Sequence, residues 1–488
     1  MLDRNNISLY GLLFGVLIFL LFLISTPPQG LNHIAWITAG IALLMTIWWI
    51  TEAVPIYITA LLPIILFPLF GISELKQISN SYAHPLVLLF LGGFIIASAM
   101  ESCGLHKRIA LNILSISGTS PSKIIAGFML TTALISMWVS NTASTIMMLP
   151  IATSVLFLFS NQYGNKKNEL TIPLLLSIAY SASIGGIATL IGTPTNIMLA
   201  SILNDSYGYE ISFMDWFKIG FPLTIILLPV MWFFLTQVIF KVSNYKSNAL
   251  EETVSNLKKE IGVASFTEKI VGIVFLLTAI SWIFRRKINT GFDININDTS
   301  IGLLGALLLF IIPVKDGKRA CNWETANKIP WGVLLLVGGG IALSKAFNSS
   351  GLAEWIGGFS HVFFGYDELF LIFVVVALII FLTELNSNTA TVATFIPILI
   401  VFSIGIDLNP LFFVIPATIA ASCAFMLPVA TPPNAVIFGS GHVTIKDMFK
   451  TGFILNVVSI VIISIFCYVF LGSLINIDIN MVLENFKL

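Results

Sequence analysis

The sequence predicts an all-α integral membrane protein in which about 11 transmembrane helices and two re-entrant hairpins form an inverted repeat. Three observations predict this fold. Hydrophobic residues make up 57% of the chain and charged residues 10%, and the mean hydropathy of +0.97 is typical of membrane proteins. The tripeptide Ser-Asn-Thr occurs twice inside long apolar runs, at 140–142 and 387–389. Each of these runs is followed by another apolar run that a Thr-Pro sequence interrupts, at 192–196 and 430–434.

The apolar runs define the predicted helices, because a helix that crosses the bilayer needs about 20 apolar residues. The first run is too long for the apolar part of a signal peptide and has no small-residue cleavage site after it, so we expect it to be retained. Two further segments, 104–118 and 351–363, are amphipathic. The predicted transmembrane runs are 7–25, 34–51, 54–71, 85–101, 171–203, 212–241, 268–285, 299–314, 330–347, 410–440 and 449–473.

Four sequence matches recur in the same order and predict an internal repeat. They divide the chain into N-terminal helices at 1–84, a first repeat at 85–245, a cytoplasmic loop at 246–267 and a second repeat at 268–488. The re-entrant hairpins are predicted within the repeats, at 122–159 and 367–404. The matched residues are Leu88, Leu89, Gly92 and Gly93 with Leu334, Leu335, Gly338 and Gly339; Ser140–Thr142 with Ser387–Thr389; Thr193–Asn196 with Thr431–Asn434; and Asp215–Lys218 with Asp447–Lys450.

The distribution of basic residues predicts the orientation in the membrane. If each tripeptide run enters and leaves on one side, the predicted spans place the N-terminus inside and the C-terminus outside. On this arrangement 17 of the 24 Lys and Arg residues lie on the cytoplasmic side. The cluster Arg285-Arg286-Lys287 lies on the other side and goes against the bias. The matched residues Lys218 and Lys450 fall on opposite sides, as an inverted repeat requires.

The interrupted runs expose helix ends at membrane depth, where a ligand could bind. Helix N-termini carry partial positive charge and free N–H groups that suit an anion, whereas unwound carbonyls and hydroxyls suit Na⁺. No Lys or Arg lies near any of the four interruptions. The charge of an anion would therefore be balanced by helix ends, hydroxyls, amides and co-bound cations, which favours ion-coupled uptake. The alternative is that the breaks only kink helices, with Ser and Thr satisfying the backbone.

The composition argues against several other classes of protein. The formal net charge is zero, so nucleic acid is not an expected partner. The four cysteines and five histidines are scattered without metal-ligand spacing, and we expect no organic cofactor. An intramembrane enzyme would need a nucleophile with a base or a metal cluster, and no His or Asp pairs with the serines of the membrane runs. A channel is disfavoured because no ring of charges or filter-like repeat is present.

Two acidic residues lie in apolar stretches and are functional candidates by position. Glu52 falls near a predicted helix end, where a structural hydrogen bond to the backbone is at least as good an interpretation as a functional role. Glu384 lies three residues before Ser387. It could orient the second hairpin or shape a cation site there, and the sequence does not separate these roles.

Several of these motifs carry a resemblance to a known family. The run Ala421–Ala435, which contains Ala-Thr-Pro-Pro-Asn, resembles the signature of the divalent anion:sodium symporter family. The segments Trp49–Pro55 and Gly185–Thr193 and both Ser-Asn-Thr tripeptides are also similar to that family, so the resemblance covers nearly the whole chain. It implies a homodimer. Each protomer would have a scaffold domain, which includes the N-terminal helices, and a transport domain that carries both hairpins and slides against the scaffold as an elevator.

The resemblance also implies which residues form the site. Each Ser-Asn-Thr tip would bind one carboxylate of a C4 dicarboxylate, with co-transported sodium ions behind the tips. Thr195 departs from the pattern of the second repeat, which has Pro433 at the matching position. The implied substrate-binding residues are Ser140, Asn141, Thr142, Thr193, Pro194, Ser387, Asn388, Thr389, Thr431 and Pro432; the implied first sodium site is Ser136, Ser140, Asn141 and Gly192, and the second is Thr383, Ser387, Asn388 and Ala430.

We therefore expect a sodium-coupled secondary transporter that imports succinate, malate or fumarate. Its partners would be the dianionic substrate, sodium ions, membrane lipid and a second copy of the chain. A multi-pass position in a bacterial inner (plasma) membrane is expected. Two alternatives remain open, which are a citrate or sulfate symporter and a dicarboxylate exchanger that does not use sodium.

The orientation leads to a testable prediction. We expect a reporter fused to the C-terminus to be labelled only from outside the cell, and one fused to the N-terminus to be labelled only from inside. Labelling of intact and permeabilised cells with an impermeant reagent measures both, and each fusion is the control for the other. A C-terminal reporter accessible only from the cytoplasm would contradict the predicted arrangement.

Overall fold

The computed structural model describes residues 4–163, 167–242, 248–314 and 317–486. Within these ranges the chain is helical, and the one β feature is an isolated bridge between Pro313 and Arg319. The α-helices are α1 Arg4–Ile24, α2 His33–Thr51, α3 Ile56–Thr59, α4 Leu62–Leu69, α5 Leu75–Tyr82, α6 Pro85–Cys103, α7 Leu105–Leu114, α8 Pro121–Ser136, α9 Asn141–Tyr163, α10 Lys167–Ile187, α11 Pro194–Tyr207, α12 Phe213–Phe233, α13 Ala249–Ile261, α14 Phe266–Phe292, α15 Asp298–Ile311, α16 Trp323–Ala326, α17 Trp331–Ser349, α18 Leu352–Gly357, α19 Glu368–Thr383, α20 Asn388–Gly405, α21 Leu411–Ala421, α22 Pro432–Gly439 and α23 Ile445–Ile475.

The helices have the lengths and composition of a multi-pass membrane protein. In the described residues, nine helical segments are long and apolar enough to cross a membrane, and several shorter apolar helices accompany them. The predicted all-α integral membrane fold is confirmed. Both tripeptide runs fold as two helices with a short turn between them: α8 and α9 for the first, and α19 and α20 for the second. Both Thr-Pro runs are also broken, into α10 and α11 and into α21 and α22.

Two stretches differ from the sequence-based expectation. The run predicted as one span at 54–71 is divided into α3 and α4, with Pro63 at the start of the second piece and Pro68 inside it. Proline lacks the N–H that a continuous helix uses and clashes with the preceding turn. The segment predicted as a loop at 246–267 contains α13, which has acidic residues in its first turn and lysines in its last. These charges match the helix dipole.

The matched Asp-x-x-Lys segments begin helices in the same way in the two halves. Ser212 and Asp215 form a capping box at the start of α12, and Thr444 and Asp447 form one at the start of α23. In each case the hydroxyl accepts the backbone N–H of the aspartate at 3.2 Å, and the aspartate side chain accepts from the cap residue. This local chemistry explains why both helices start just before the matched sequence.

Apart from α13, which contacts α7 and α9, the helices form two groups. One group, the hairpin bundle, consists of α8–α12 and α19–α23. In it, α10 packs against α8 and α9, α22 packs against α9 and α10, and α23 packs against α12, α19 and α21. The other group, the framework helices, consists of α1–α7 and α14–α18, with close pairs α1–α2 and α6–α15. Contacts of α17 with α11 and α20, of α18 with α20 and of α7 with α8 join the two groups.

The basic cluster that goes against the charge bias is paired with acids in the structure. Arg285 lies 3.0 Å from a carboxylate oxygen of Glu210 and 3.4 Å from one of Asp298. Arg286 lies 2.8 Å from a carboxylate oxygen of Asp215. Asp298 also accepts the backbone N–H of Phe213 at 2.9 Å. The cluster therefore ties the start of α12 to α14 and α15.

The close approach of α6 and α15 depends on Gly92, one of the repeated glycines. A methyl group on Gly92 would lie 2.7 Å from the carbonyl carbon of Gly302 and 2.8 Å from its oxygen. A methyl group on the neighbouring Gly93 would meet only the side chain of Ile191, at 3.5 Å or more. Small residues let transmembrane helices come this close.

We expect Gly92→Ala to destabilise the protein by about 1–3 kcal/mol, because the two backbones must separate to admit the methyl group. Gly93→Ala is the matched control and should unfold near the temperature of the unchanged protein. Thermal unfolding of both variants in the same detergent measures the difference. Equal unfolding temperatures for the two variants would refute the packing described here.

Candidate functional site

The first tripeptide hairpin gathers oxygen atoms around one hydroxyl. Ser136 is the last residue of α8 and is fully buried. Its hydroxyl oxygen lies 2.6 Å from Oδ1 of Asn141 and 2.7 Å from the carbonyl oxygen of Ala182. A hydroxyl has one hydrogen and can donate to only one of these acceptors at a time. Three oxygens therefore meet at a point where one proton is available.

The second hairpin repeats this arrangement. Thr383 is the last residue of α19 and is fully buried. Its hydroxyl oxygen lies 2.7 Å from Oδ1 of Asn388 and 2.9 Å from the carbonyl oxygen of Ala421. The predicted site residues Ser136 and Asn141, and Thr383 and Asn388, are thus brought into contact. The carbonyls of Ala182 and Ala421 complete the two oxygen clusters, and neither was predicted.

The carbonyl of Gly192 also approaches the first cluster. A methyl group placed on Gly186 would lie 2.7 Å from Oδ1 of Asn141 and 3.2 Å from the carbonyl oxygen of Gly192. Both oxygens thus face the same small space, which only a glycine leaves free. Ser140 is half-buried at the hairpin tip, where its hydroxyl accepts the backbone N–H of Ala143 at 3.2 Å. This is the usual contact of a helix N-cap.

The remaining predicted residues start helices. Thr193 and Thr431 are buried and extended, and the prolines that follow them begin α11 and α22. Proline suits this position because its fixed φ matches the helix and its missing N–H would be unpaired there. Ser387 precedes α20 as its N-cap residue. Thr142 and Thr389 lie in the first turns of α9 and α20. Two helices, α9 and α20, therefore begin at the hairpin tips, and two, α11 and α22, begin at the ends of the breaks.

Two asparagines that the sequence analysis did not assign hold the breaks together. The amide nitrogen of Asn196 donates to the carbonyls of Gly186 at 3.1 Å and Thr189 at 2.8 Å. That of Asn434 donates to the carbonyls of Ala424 at 3.1 Å and Leu427 at 3.0 Å. Both asparagines are fully buried. Their occurrence in both matched Thr-Pro segments was the signal that could have identified them.

In each half, a glycine of the helix that follows the broken run packs against the backbone at the break. A methyl group on Gly220 of α12 would collide with the carbonyl oxygen of Ile187, and one on Gly452 of α23 would collide with that of Phe425. The helix after each broken run therefore lies directly against the break. The two glycines occupy matching positions, because each follows the aspartate of the matched Asp-x-Phe-Lys segment by five residues.

Of the two acidic candidates, Glu384 belongs to the second break. Its carboxylate is 3% exposed and accepts the backbone N–H groups of Phe425 at 2.7 Å, Met426 at 2.8 Å and Leu427 at 3.0 Å. It also accepts from the side chain of Asn456 on α23 at 2.7 Å. These four donors compensate a buried negative charge. The contacts favour an orienting role, because Glu384 connects the base of the second hairpin to the unwound loop.

Glu52 lies elsewhere. It is exposed and ends α2 in the left-handed backbone conformation, with φ of 46°. Its backbone carbonyl is 3.5 Å from the hydroxyl of Ser8 on α1. The structure therefore supports the interpretation of Glu52 as part of a helix end.

Comparison with known proteins agrees with this architecture. Residues 6–477 match the family described as the sodium:sulfate symporter transmembrane region. The chain belongs to this family. The resemblance found in the sequence motifs is therefore confirmed, and so is the expectation of a transporter and not an enzyme.

Individual members of the family are also similar to the chain. It is 40% identical over 483 residues to the sodium-dependent dicarboxylate transporter SdcS of Staphylococcus saprophyticus, which covers 97% of this chain and 93% of that protein. The identity and coverage are the same for SdcS of Staphylococcus aureus. The fold is similar to the crystal structure of the Alcanivorax borkumensis YdaH transporter, with a TM-score of 0.55 and 12% identity, covering 96% of this chain and 98% of that one.

Glu384 provides a test of how the second break is organised. In Glu384→Gln one side-chain oxygen becomes an NH₂ group that faces N–H donors. A buried donor left without a partner costs about 1–3 kcal/mol. We expect lower thermal stability and impaired transport. Glu101→Gln, a half-buried glutamate of α6 among the framework helices, is the control. Stability and uptake of both variants in the same membranes test the assignment, and an unimpaired Glu384→Gln would refute it.

Proposed function

We propose that this symporter couples sodium ions to the import of C4 dicarboxylates such as succinate, malate and fumarate. One sodium ion would bind at each hairpin base and one carboxylate at each Ser-Asn-Thr tip. The observation that carries the proposal is the pair of buried oxygen clusters around Ser136 and Thr383, each with one hydroxyl proton for three oxygens.

The clusters favour a small hard cation as their ligand. Hydroxyl, amide and carbonyl oxygens are the ligands that sodium takes at broken transmembrane helices. Bringing Asn141 Oδ1 and the Ala182 carbonyl to one hydroxyl leaves at least one acceptor without a hydrogen. A cation between them would interact favourably with all three oxygens. The same reasoning applies to Asn388 and Ala421 in the second half.

The tips favour a dianion on their other side. Helices α9 and α20 begin at Asn141 and Asn388, and the N-terminus of each helix carries about half a positive charge. Two such ends do not neutralise a dicarboxylate, and a bare dianion at membrane depth is costly. Two sodium ions would balance the two negative charges of the substrate. Sodium should therefore bind first and organise the tips before the substrate arrives.

The choice of dicarboxylate is supported by the relatives, two of which bear the name sodium-dependent dicarboxylate transporter at 40% identity. The family description instead names sulfate, so a sulfate or citrate symporter is the second candidate. Both anions are compatible with helix ends and hydroxyls. Two tips, each with its own Ser-Asn-Thr, fit a ligand with two separated carboxylates better than a compact tetrahedral anion.

We further propose that the hairpin bundle moves against the framework helices as an elevator, within a homodimer. The C-terminal end of α11 contacts α17 through three polar pairs. Lys345 lies 2.7 Å from Asp205, the hydroxyls of Ser206 and Ser344 are 3.0 Å apart, and Tyr207 donates to Asn348 at 3.1 Å. These pairs cross between the two groups of helices, and sliding of the bundle would exchange them for other contacts. They would thereby stabilise one position of the bundle.

Uptake by purified protein in proteoliposomes tests the function. We expect succinate uptake that rises steeply with sodium, with a Hill coefficient above one, and that is lost when choline replaces sodium. A competition panel of malate, fumarate, citrate and sulfate identifies the preferred anion. Undiminished succinate uptake in choline would overturn the proposal and support the exchanger.

The second arm of this experiment addresses the site. Asn141→Ala and Asn388→Ala should each abolish uptake while the protein still folds, because each removes an oxygen from a cluster and leaves buried partners unmet. Thr418→Val is a control, since Thr418 is buried in α21 and its hydroxyl donates to the carbonyl of Val414 in the same helix. Near-normal uptake and sodium dependence in either asparagine variant would show that the assignment is wrong for that half.

A further inference from the structure

A hydrogen bond joins the first turn of α11, directly after the first break, to the start of the second break. The hydroxyls of Thr195 and Ser422 are 3.0 Å apart, and the two residues are 0% and 1% exposed. Within the described part of the chain, this is the one side-chain hydrogen bond that connects residues 182–196, around the first break, with residues 421–434, around the second. The bond is formed by residues that the proposed function does not use.

Each end of this bond is attached to one oxygen cluster. Thr195 lies three residues after Gly192, and its neighbour Asn196 holds the carbonyls of the first break. Ser422 directly follows Ala421, whose carbonyl oxygen is 2.9 Å from the Thr383 hydroxyl. A shift of the first loop is therefore passed to the backbone that supplies an oxygen to the second cluster.

The bond is also a point where the repeat is not symmetric. The residue that matches Thr195 is Pro433, which has no hydroxyl and no N–H. Proline is accepted in the first turn of a helix, so the start of α11 does not require threonine at this position. The hydroxyl of Thr195 therefore adds an interaction that helix geometry alone does not demand.

We propose that the Thr195–Ser422 hydrogen bond couples the two sodium sites, so that occupation of one orders the other. This inference rests on the proposed function, in which each hairpin base holds one sodium ion. Thr195 and Ser422 are positioning residues and do not touch the ions themselves. Removing the Thr195 hydroxyl leaves the buried Ser422 hydroxyl without its partner, whereas removing the Ser422 hydroxyl leaves Thr195 with Thr193 Oγ1 and Asn196 Oδ1, each at 3.4 Å. Either change lets the two segments adjust independently, which lowers the coupling between the sites.

An aromatic contact also lies between α10 and the second break. The rings of Tyr180 on α10 and Phe425 in the second break have centroids 5.0 Å apart. This contact is apolar and tolerates small shifts, and it remains when the hydrogen bond is removed. Loss of the bond should thus reduce the coupling without separating the loops.

The test compares the sodium dependence of Thr195→Val, Ser422→Ala and the double variant. We expect the Hill coefficient to fall toward one in all three, and the sodium concentration at half-maximal uptake to rise about five-fold or more. The double variant should be no worse than the more affected single variant, since both remove the same bond. Thr195→Ser, which keeps a hydroxyl, and Thr418→Val, which removes one elsewhere in α21, should retain the native Hill coefficient.

A second readout does not depend on transport. Sodium added to the purified protein without substrate should raise its unfolding temperature. The unfolding temperature should rise steeply with sodium concentration in the native chain and more gradually in the variants. If Thr195→Val does not fold, Thr195→Pro replaces it, because the second repeat carries Pro-Pro at the same place. A lowered Hill coefficient in this variant supports the proposal equally.

The possible failures are distinguishable. A native chain without sodium dependence overturns the proposed function. A native chain with a Hill coefficient above one, together with variants that retain it, overturns the coupling role alone. Variants that lose maximal uptake at an unchanged Hill coefficient show that the bond is only structural, which also rejects the inference.

Discussion

Every helix break at membrane depth must satisfy its freed backbone groups within the protein, because hydrocarbon offers no partners. The rest of this structure depends on that constraint. Asn196 and Asn434 each hold two carbonyls of a break, and Glu384 holds three N–H groups of the second. Once these contacts are made, the carbonyls that remain can face the hairpins. The oxygen clusters at Ser136 and Thr383 are thus a consequence of how the unwound backbone is anchored.

The two halves reach similar geometry through different chemistry. In the first, the Thr189 hydroxyl donates to the carbonyl of Met137. At the matching places of the second, the Leu427 N–H donates to the carboxylate of Glu384. The second break therefore has a buried negative charge beside it that the first lacks, compensated by N–H donors. Equivalent shape does not make the two proposed cation sites electrostatically equal.

One helix connects the candidate site to the boundary between the two groups of helices. α11 has 14 residues, about 20 Å at 1.5 Å per residue. Its N-terminal end starts at the first break, and its C-terminal end carries Asp205 and Tyr207, which contact α17. A continuous helix transmits displacement along its axis. A change at the break therefore reaches the polar contacts that hold the hairpin bundle against the framework helices.

The sequence by itself determined the membrane fold, the two hairpins, the two broken runs and most of the residues at their tips. These features follow from hydropathy and repeated motifs, which are local along the chain. Local patterns missed that 54–71 is broken and that 249–261 is helical, where proline position and charge placement decide. Only the tertiary structure showed which carbonyls meet Ser136 and Thr383, since Ala182 and Ala421 are 46 and 38 residues away. The hydrogen bond between Asn456 and Glu384, which are 72 residues apart, likewise depends on packing, because a buried polar group pairs with whichever partner the fold brings to it.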